Sequence, residues 1–553
     1  MIRHELQKLL KEAARAILKD GEKFQEKEKE IVLEKPNLRE HGDWASNVAL
    51  VLAGVCRQNP LVIAQEIVRY LPQDLGYVKE VKIARPGFIN FYLSDDYILS
   101  QLGEIARDPQ DYGKCDLGQG VKLQIEFVSA NPVGPLHIGH GRWAALGDSL
   151  ARIFQSCGYQ VEKEFYINDY GLQVRLFGQS VLARYQELFG LPATFPPNGY
   201  KGEYVKEYAQ ELIGQVGDKF VTQQGEEEEL ISRAISIALQ DIRETLELMG
   251  VDFQVWFSER VLHEGGEVDK VIEKLKATGK TYEREGALWL RTTDYGDDKD
   301  RVLVKADGEK TYFLTDVAYH ENKVERGFQK IINIWGADHH GHVRRMEAAL
   351  EILGYDPDLL EVIIGQLVNL TRRGKPYKMS KRSGEMVTLR DLIEEVGPDA
   401  VRYFFLMRPC DSMLDFDIDL ARSHSSNNPV YYIQYAHARI QSIMRLASSR
   451  GIEVEEAWSY PYDRFSHPGE RELAKVLISF PYVVIDALEH RAPHFLTQYG
   501  EELASAFHGF YTQCRVISKD KDMTMRRLVL GLMAREIVRK VLFLLGISAP
   551  ESM

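Results

Sequence analysis

The sequence predicts a multidomain α/β protein: a Rossmann-type parallel-sheet domain with insertions, an α+β domain before it and an all-α bundle after it. Three observations lead there. Residues 123–128 form a strand-like run with alternation that breaks at Ala130-Asn131-Pro132-Val133-Gly134-Pro135. It gives way to helical spacing through Trp143, Leu146, Leu150, Ile153 and Phe154, which stops near Gly158. A strand, a tight Gly/Pro loop and a helix in that order open a nucleotide-binding α/β sheet. Further strand-like runs at 331–335 and 362–368 can join the same sheet, and from Asn428 onward the pattern is almost wholly helical.

At 553 residues the chain is too long for one hydrophobic core. Residues 1–20 read as an amphipathic helix without the features of a signal or transit peptide. Residues 44–71 carry helical apolar spacing, and 81–93 alternate like a strand around the breaker Arg85-Pro86-Gly87. The expected domains are therefore 1–112 (α+β), 113–424 (Rossmann-type, with a helical insertion over about 198–287 and a basic loop at 371–384) and 425–553 (helical bundle, its last long helix or helix pair over 528–545). A hydrophobic content of 44% with 27% charged residues is ordinary for a soluble globular protein, and no apolar run is long enough to span a bilayer, so a cytoplasmic protein without a membrane partner is expected.

Five cysteines stand far apart with no Cys-x-x-Cys pair, which argues against a disulfide framework or a structural zinc site; buried, reduced thiols are expected. A net charge of -13 does not exclude nucleic acid, because phosphate binding needs only a local basic surface. The acidic block 226–229 reads as a solvated helix start.

Two short motifs carry chemistry. His137-Ile138-Gly139-His140 falls where the first strand turns into the first helix. A helix N-terminus offers free N–H groups to phosphate, two histidines there can add ring N–H donors, and Gly139 lets a base lie against bare backbone. As plain structure, the two histidines would be cap residues. Lys378-Met379-Ser380-Lys381 lies between Thr371-Arg372-Arg373-Gly374-Lys375-Pro376 and Arg382-Ser383-Gly384, a basic stretch bracketed by Gly and Pro that reads as a mobile loop. Its ammonium groups can follow charge as it develops on a triphosphate.

In this order, with helical sequence between them, the two motifs resemble the paired signatures of class I aminoacyl-tRNA synthetases. The segments around them resemble the arginyl-tRNA synthetase family in particular: Ser129-Ala130-Asn131-Pro132-Val133-Gly134-Pro135-Leu136-His137, Asn168-Asp169-Tyr170-Gly171, Thr311-Tyr312-Phe313-Leu314-Thr315-Asp316 and Trp335-Gly336-Ala337-Asp338-His339-His340-Gly341-His342. The likeness runs essentially the full length, from His41-Gly42-Asp43-Trp44 to the terminal Ala549-Pro550-Glu551-Ser552-Met553. Tyr170, Leu172 and Asn427 replace residues commoner in the family.

The resemblance implies arginine activation by ATP to arginyl-adenylate and pyrophosphate, then transfer to the terminal ribose of tRNA(Arg). It implies a bacterial-type enzyme, a monomer, with Mg²⁺ accompanying ATP, and a C-terminal bundle that binds the anticodon. It assigns His137, His140, Lys378 and Lys381 to catalysis. ATP would meet these four together with Gly139, Gln366, Met379 and Ser380. Arginine would meet Glu126, Ser129, Ala130, Asn131, His140, Tyr312, Asp316 and His339, the last at a position that is glutamine in some relatives. Carboxylates suit a guanidinium because they match its planar fork with paired hydrogen bonds. Arg439, Arg445, Arg526 and Arg527 are candidates for tRNA contact. Two alternatives stay open: a non-catalytic tRNA-binding paralogue, and a class I synthetase for another amino acid.

Overall fold

The structure, a computed structural model, describes residues 2–18, 21–36, 38–222, 227–377 and 387–553, with the side chains at 21–24, 39 and 222 excepted. The chain folds into two compact units. One comprises residues 1–112, 443–479 and 506–536, the other 113–442, 480–505 and 537–553.

The first unit contains a four-stranded antiparallel sheet in the order Leu33–Glu34, Trp44–Ser46, Phe88–Leu93, Val78–Ala84. Trp44–Ser46 is a strand rather than the start of a helix, and the helical spacing that follows resolves into Val48–Cys56 and Pro60–Tyr70. The breaker at Arg85-Pro86-Gly87 turns the alternating run back on itself as a hairpin. Helix Pro468–Ile478 joins this unit through Arg471 to Asp95 (2.6 Å) and Lys475 to Asp43 (2.7 Å).

The second unit is built on five parallel strands: β1 (Lys122–Glu126), β2 (Gln160–Ile167), β3 (Val255–Ser258), β4 (Lys330–Gly336) and β5 (Leu360–Gly365). Their order is β5-β4-β1-β2-β3. The chain runs outward from β1 to β3, then returns to the other side of β1, so the direction of winding switches between β1 and β4. In open α/β sheets ligands bind at the carboxyl ends of the strands flanking such a switch. Residues 123–128 are all buried instead of alternating, the pattern of a parallel strand covered on both faces.

Helix α1 (Ile138–Ser156) follows β1. Helices α2 (Leu172–Leu188), α3 (Glu203–Val216) and α4 (Glu227–Leu248) pack on one another around Phe177, Tyr208 and Ile235. The stretch expected to be a helical insertion also supplies β3 and the antiparallel strands Thr281–Arg284 and Ala287–Leu290. Helix α5 (Tyr312–Glu325) precedes β4, and α6 (Pro398–Leu406) packs on α1.

Asp148, fully buried on α1, holds this unit together from within. It accepts from Arg402 on α6 (2.6 Å), Lys163 on β2 (3.0 Å) and Arg152 (2.9 Å). Burial alone would raise its carboxyl, but Arg402, Arg152 and Lys163 hold it down at about 2. Arg402 also donates to the carbonyls of Met249 and Leu545, and Ser149 donates to that of Leu544. Carbonyls left unpaired at two helix C-termini thereby find donors on α6 (Arg402) and α1 (Ser149).

Replacing Asp148 by Asn leaves buried Arg402 without an acidic partner and Lys163 with Asp252 alone. We expect Asp148→Asn to lower stability by about 3 kcal/mol, read as a shift of the chemical-denaturation transition of the full-length protein; an unchanged midpoint would refute the central role given to this carboxylate.

Candidate active site

A cleft of about 750 Å³ opens where β1 and β4 end. It is lined by Glu126, Ser129, Ala130, Asn131, His137, His140, Trp143, Tyr166, Asn168, Tyr312, Asp316, His320, Asp338, His339, His342 and Leu367, among others.

The cleft has an anion-seeking end. His137 is the N-cap of α1: its Nδ1 accepts the His140 N–H, and the Nδ1 of His140 accepts the His137 N–H, both at 3.3 Å. Because both Nδ1 atoms accept, the protons of the neutral rings sit on Nε2, and each ring presents an Nε2–H donor. The rings stack at 3.5 Å between centroids, with the Trp143 indole edge-on to both. Burial lowers both histidines, His140 to about 3 with His137 adding to the effect, so they act as neutral donors. A side chain at Gly139 would place its Cβ 3.0 Å from the His137 ring, which explains the glycine.

The other end collects carboxylates. Glu126 ends β1 beside Asn333 on β4, the last pair in their shared register. Lys323, fully buried on α5, donates to Glu126 Oε2 (2.7 Å) and Asn333 Oδ1 (3.0 Å). Asn333 Nδ2 donates to His320 Nε2 (2.7 Å), and His320 Nδ1 donates to the Asp316 carbonyl (2.7 Å). Ser129 Oγ donates to Glu126 Oε1 (2.9 Å) and accepts from the Tyr166 N–H (3.1 Å). Val128 and Ser129 adopt left-handed backbone (φ 69° and 39°). For β-branched Val128 this costs on the order of 1–3 kcal/mol, and these bonds hold it in place.

Asp316 lines the cleft one turn after Tyr312, itself exposed just inside the Thr311 N-cap of α5. Burial, with Glu259 and Glu126 adding repulsion, pushes the Asp316 carboxyl up to about 8. Glu259, buried behind Tyr166 and hydrogen-bonded to it, is raised to about 7 by burial and the nearby Asp169. Asn168, with its amide oriented to satisfy both partners, donates to Glu259 Oε2 (3.1 Å). Sequence reading missed Tyr166 and Glu259. A glutamate beginning a short helix after an edge strand has no local signature; its burial against Tyr166 is the signal.

The cleft thus brings together every residue expected to meet arginine, along with His137. Gln366 lies elsewhere, lining a separate cavity of about 560 Å³ with Arg142, Arg408 and His494, while Leu367 lines the cleft. Buried Arg142 organises that region by donating to the carbonyls of Gln366, Pro409 and Ser412. Lys378, Met379, Ser380 and Lys381, with Arg382, Ser383 and Gly384, lie outside the described residues. The segment before them is more ordered than a basic loop, because Val368–Arg372 pairs with Lys375–Pro376 as a hairpin and Arg372 binds Glu395. The segment after them pairs with the histidine motif: Thr388 bridges His137, and Leu389 N donates to Leu136 O (2.7 Å).

The proposed tRNA-contact arginines divide. Arg526 and Arg527 are buried and tied to Asp522 and Glu470, so their charge is spent inside the fold. Arg439 and Arg445 are exposed on helix Pro429–Ser449.

A switch-point cleft with donor histidines at a helix start is the ligand site of an open α/β sheet suited to phosphates, and the family models place it in the class I aminoacyl-tRNA synthetases. Residues 105–404 match the family model described as tRNA synthetases class I (R), catalytic domain. Residues 2–93 match the arginyl tRNA synthetase N terminal domain, and 433–553 the DALR anticodon binding domain. The chain belongs to the arginyl-tRNA synthetase family. It is 48% identical over 546 residues to an arginine–tRNA ligase of Moorella thermoacetica, covering 98% of each chain. It is 49% identical over 527 residues to one of Listeria monocytogenes, covering 95% of this chain and 94% of the relative. The arginyl-tRNA synthetase structure of Thermus thermophilus, 23% identical and covered in full by a fully covered chain, superposes with a TM-score of 0.77 and has the same fold.

Removing the Lys323 ammonium leaves Glu126 buried without its cation. Lys323→Met is expected to raise the KM for arginine at least tenfold and to destabilise the fold by about 3 kcal/mol, measured by steady-state charging and denaturation; unaltered KM in a folded variant would show that Lys323 does not hold Glu126 for the substrate.

Proposed function

We propose that this chain is an arginine–tRNA ligase that forms arginyl-adenylate from arginine and ATP and transfers arginine to the terminal ribose of tRNA(Arg). The observation that carries the reading is the polarity of the cleft. Three carboxylates, Glu126, Asp316 and Glu259, gather at or behind one end with Lys323 as their buried cation, while neutral Nε2–H donors occupy the other. A guanidinium suits the first end and phosphates the second.

In this reading Asp316 and Tyr312 hold the guanidinium, with Glu259 acting from behind Tyr166. Ser129, Ala130, Asn131 and His339 shape the remaining walls. The arginine carboxylate attacks the α-phosphate, displacing pyrophosphate. It is ionised at neutral pH, so the step needs no protein base and depends on placement and charge stabilisation. His137 and His140 donate to the developing phosphate charge, joined by Lys378 and Lys381, whose segment is followed in the chain by Thr388, which bridges His137. Gly139 and the segment containing Met379 and Ser380 accommodate the nucleotide, whereas Gln366, in its separate cavity, takes no direct part in this reading. Mg²⁺ would offset triphosphate charge, held by phosphate oxygens and water, with exposed Asp338 suited to accept from that water.

A second cavity of about 530 Å³ shares Asn131, His137 and His140 with the cleft, and its other lining residues include Tyr200, Tyr204, Tyr208 and Arg390 together with the acidic Glu207, Asp241 and Asp391. Its aromatic walls suit the unstacked 3′ end of tRNA on its way to the adenylate. The family resemblance carries with it monomeric action in the cytoplasm. Catalysis is favoured over tRNA binding alone because the histidine pair is intact and aimed into the cleft.

His137→Asn separates capping from chemistry, since Asn caps helices as well as any residue. Stability should stay within about 0.5 kcal/mol of the parent, while arginine-dependent charging of tRNA falls about 100-fold; full charging activity would remove His137 from the mechanism. The acidic end predicts a pH effect. As pH rises from 6.5 to 8.5, Glu259 and Asp316 ionise and the KM for arginine should fall by about tenfold. Asp316→Asn should raise KM and flatten that profile, and a flat profile in the parent enzyme would count against the assignment.

A further inference from the structure

Trp143 lies on α1 one turn beyond His140 and lines the cleft. Its indole stands edge-on to both motif histidines, with ring centroids 5.4 Å from His140 and 6.1 Å from His137. The same indole lies against the ends of β4 and β5, which close with Gly336 and Gly365 as a register pair. An added Cβ on Gly336 would come 2.9 Å from Cη2 of the indole. One on Gly365 would strike Nε1 and come 2.7 Å from Cδ1.

Neither glycine is demanded by its own backbone, since neither has a left-handed φ. Bare Cα atoms are needed there for the ring that crosses them, one beneath the six-membered ring and one beneath the pyrrole. The indole N–H is buried and finds no hydrogen-bond partner among the described residues. Packing, not a directed bond, therefore decides where the ring lies, and an atom added to the surface beneath it must displace it.

The histidines need such a support. Their reciprocal bonds are long, both 3.3 Å, and their rings stack at 3.5 Å between centroids. A stack of two neutral rings opposes sliding only weakly, whereas an aromatic edge against both restricts their tilt.

We propose that Trp143 is a positioning residue for adenylate formation: clamped on Gly336 and Gly365, its indole fixes the tilt of His137 and His140 and so aims their Nε2–H donors. The aim of those donors is thereby tied to the end of the β4–β5 register and not to α1 alone. A misplacement of about 1 Å can cost on the order of 100-fold in rate. Gly365, which is not among the residues lining the cleft, thus acts on the chemistry through one ring. The reaction named here rests on the ligase reading; the clamp itself does not.

The test uses the full-length protein and three variants, Gly365→Ala, Trp143→Phe and the two together. Each is assayed for arginine charging of tRNA, and hydrogen exchange at C2 of the His137 and His140 rings is followed by mass spectrometry. Gly365→Ala should alter the exchange of both histidines and lower kcat about tenfold. The KM for arginine should stay within about twofold of the parent, because the carboxylate end is untouched. Trp143→Phe should lower kcat about threefold. A phenyl ring leaves room for the added methyl group, so the double variant should match Trp143→Phe and not multiply the two losses. Misfolding cannot produce that recovery. Four results would each overturn the proposal: unmoved histidine exchange in Gly365→Ala, unmoved kcat despite altered exchange, a KM for arginine that rises as kcat falls, or failure of Trp143→Phe to restore Gly365→Ala. A parent protein that charges no tRNA with arginine would sink the ligase reading instead. Histidine exchange across the same variants would then still decide whether the indole holds the rings.

Discussion

The cleft depends on one ammonium group. Lys323 rises from α5 into the space between β1 and β4 and binds Glu126 and Asn333, adjacent residues of the two strands that flank the switch point. A buried cation with two oxygen partners is tolerated only in such a setting, since its desolvation has to be offset locally. Through Asn333 the same bonds fix the His320 ring and hence the turn of α5 that carries Asp316. Strand register, helix position and the placement of two cleft carboxylates are therefore a single construction.

The acidity of the cleft follows. Lys323 offsets much of the charge on Glu126, but burial and neighbouring carboxylates disfavour the ionised forms of Asp316 and Glu259, and their carboxyls rise into the neutral range. Such shifts cluster where a fold is arranged to receive a charged ligand. At the opposite end burial works in the other sense. It keeps His137 and His140 neutral, and the reciprocal bonds at the helix start decide which nitrogen carries the proton. One desolvating environment thus produces an acidic, cation-accepting end and a neutral, hydrogen-donating end.

Between the two ends the chain turns sharply through Val128 and Ser129, in a conformation that β-branched residues avoid. The strain persists because Ser129 is bonded to both Glu126 and the backbone of Tyr166. Deeper in the unit Asp148 plays the complementary part: with Arg402, Lys163 and Arg152 it anchors α1, so the histidines at its N-terminus sit on a fixed axis.

Much of this was legible from residue order. The β1–loop–α1 unit, the later strands of the sheet and the helical C-terminal pattern are local signals of spacing and Gly/Pro placement, and local signals survive in one dimension. The motif segments likewise marked Glu126, Ser129, Asn131, His137, His140, Tyr312 and Asp316 before any geometry was known. Tertiary structure alone decided what those groups do to one another. Nothing in the local sequence sets Lys323 apart; its burial makes it the partner of Glu126. Glu259 was invisible because its partners, Tyr166 and Asn168, lie far off in sequence. Arg526 and Arg527 looked available for nucleic acid until packing committed them to Asp522 and Glu470. Gln366 and Leu367 are neighbours in the chain yet face different cavities. Periodicity records which face of an element is covered; charge, protonation and reactivity depend on desolvation and on partners that only the folded chain brings within reach.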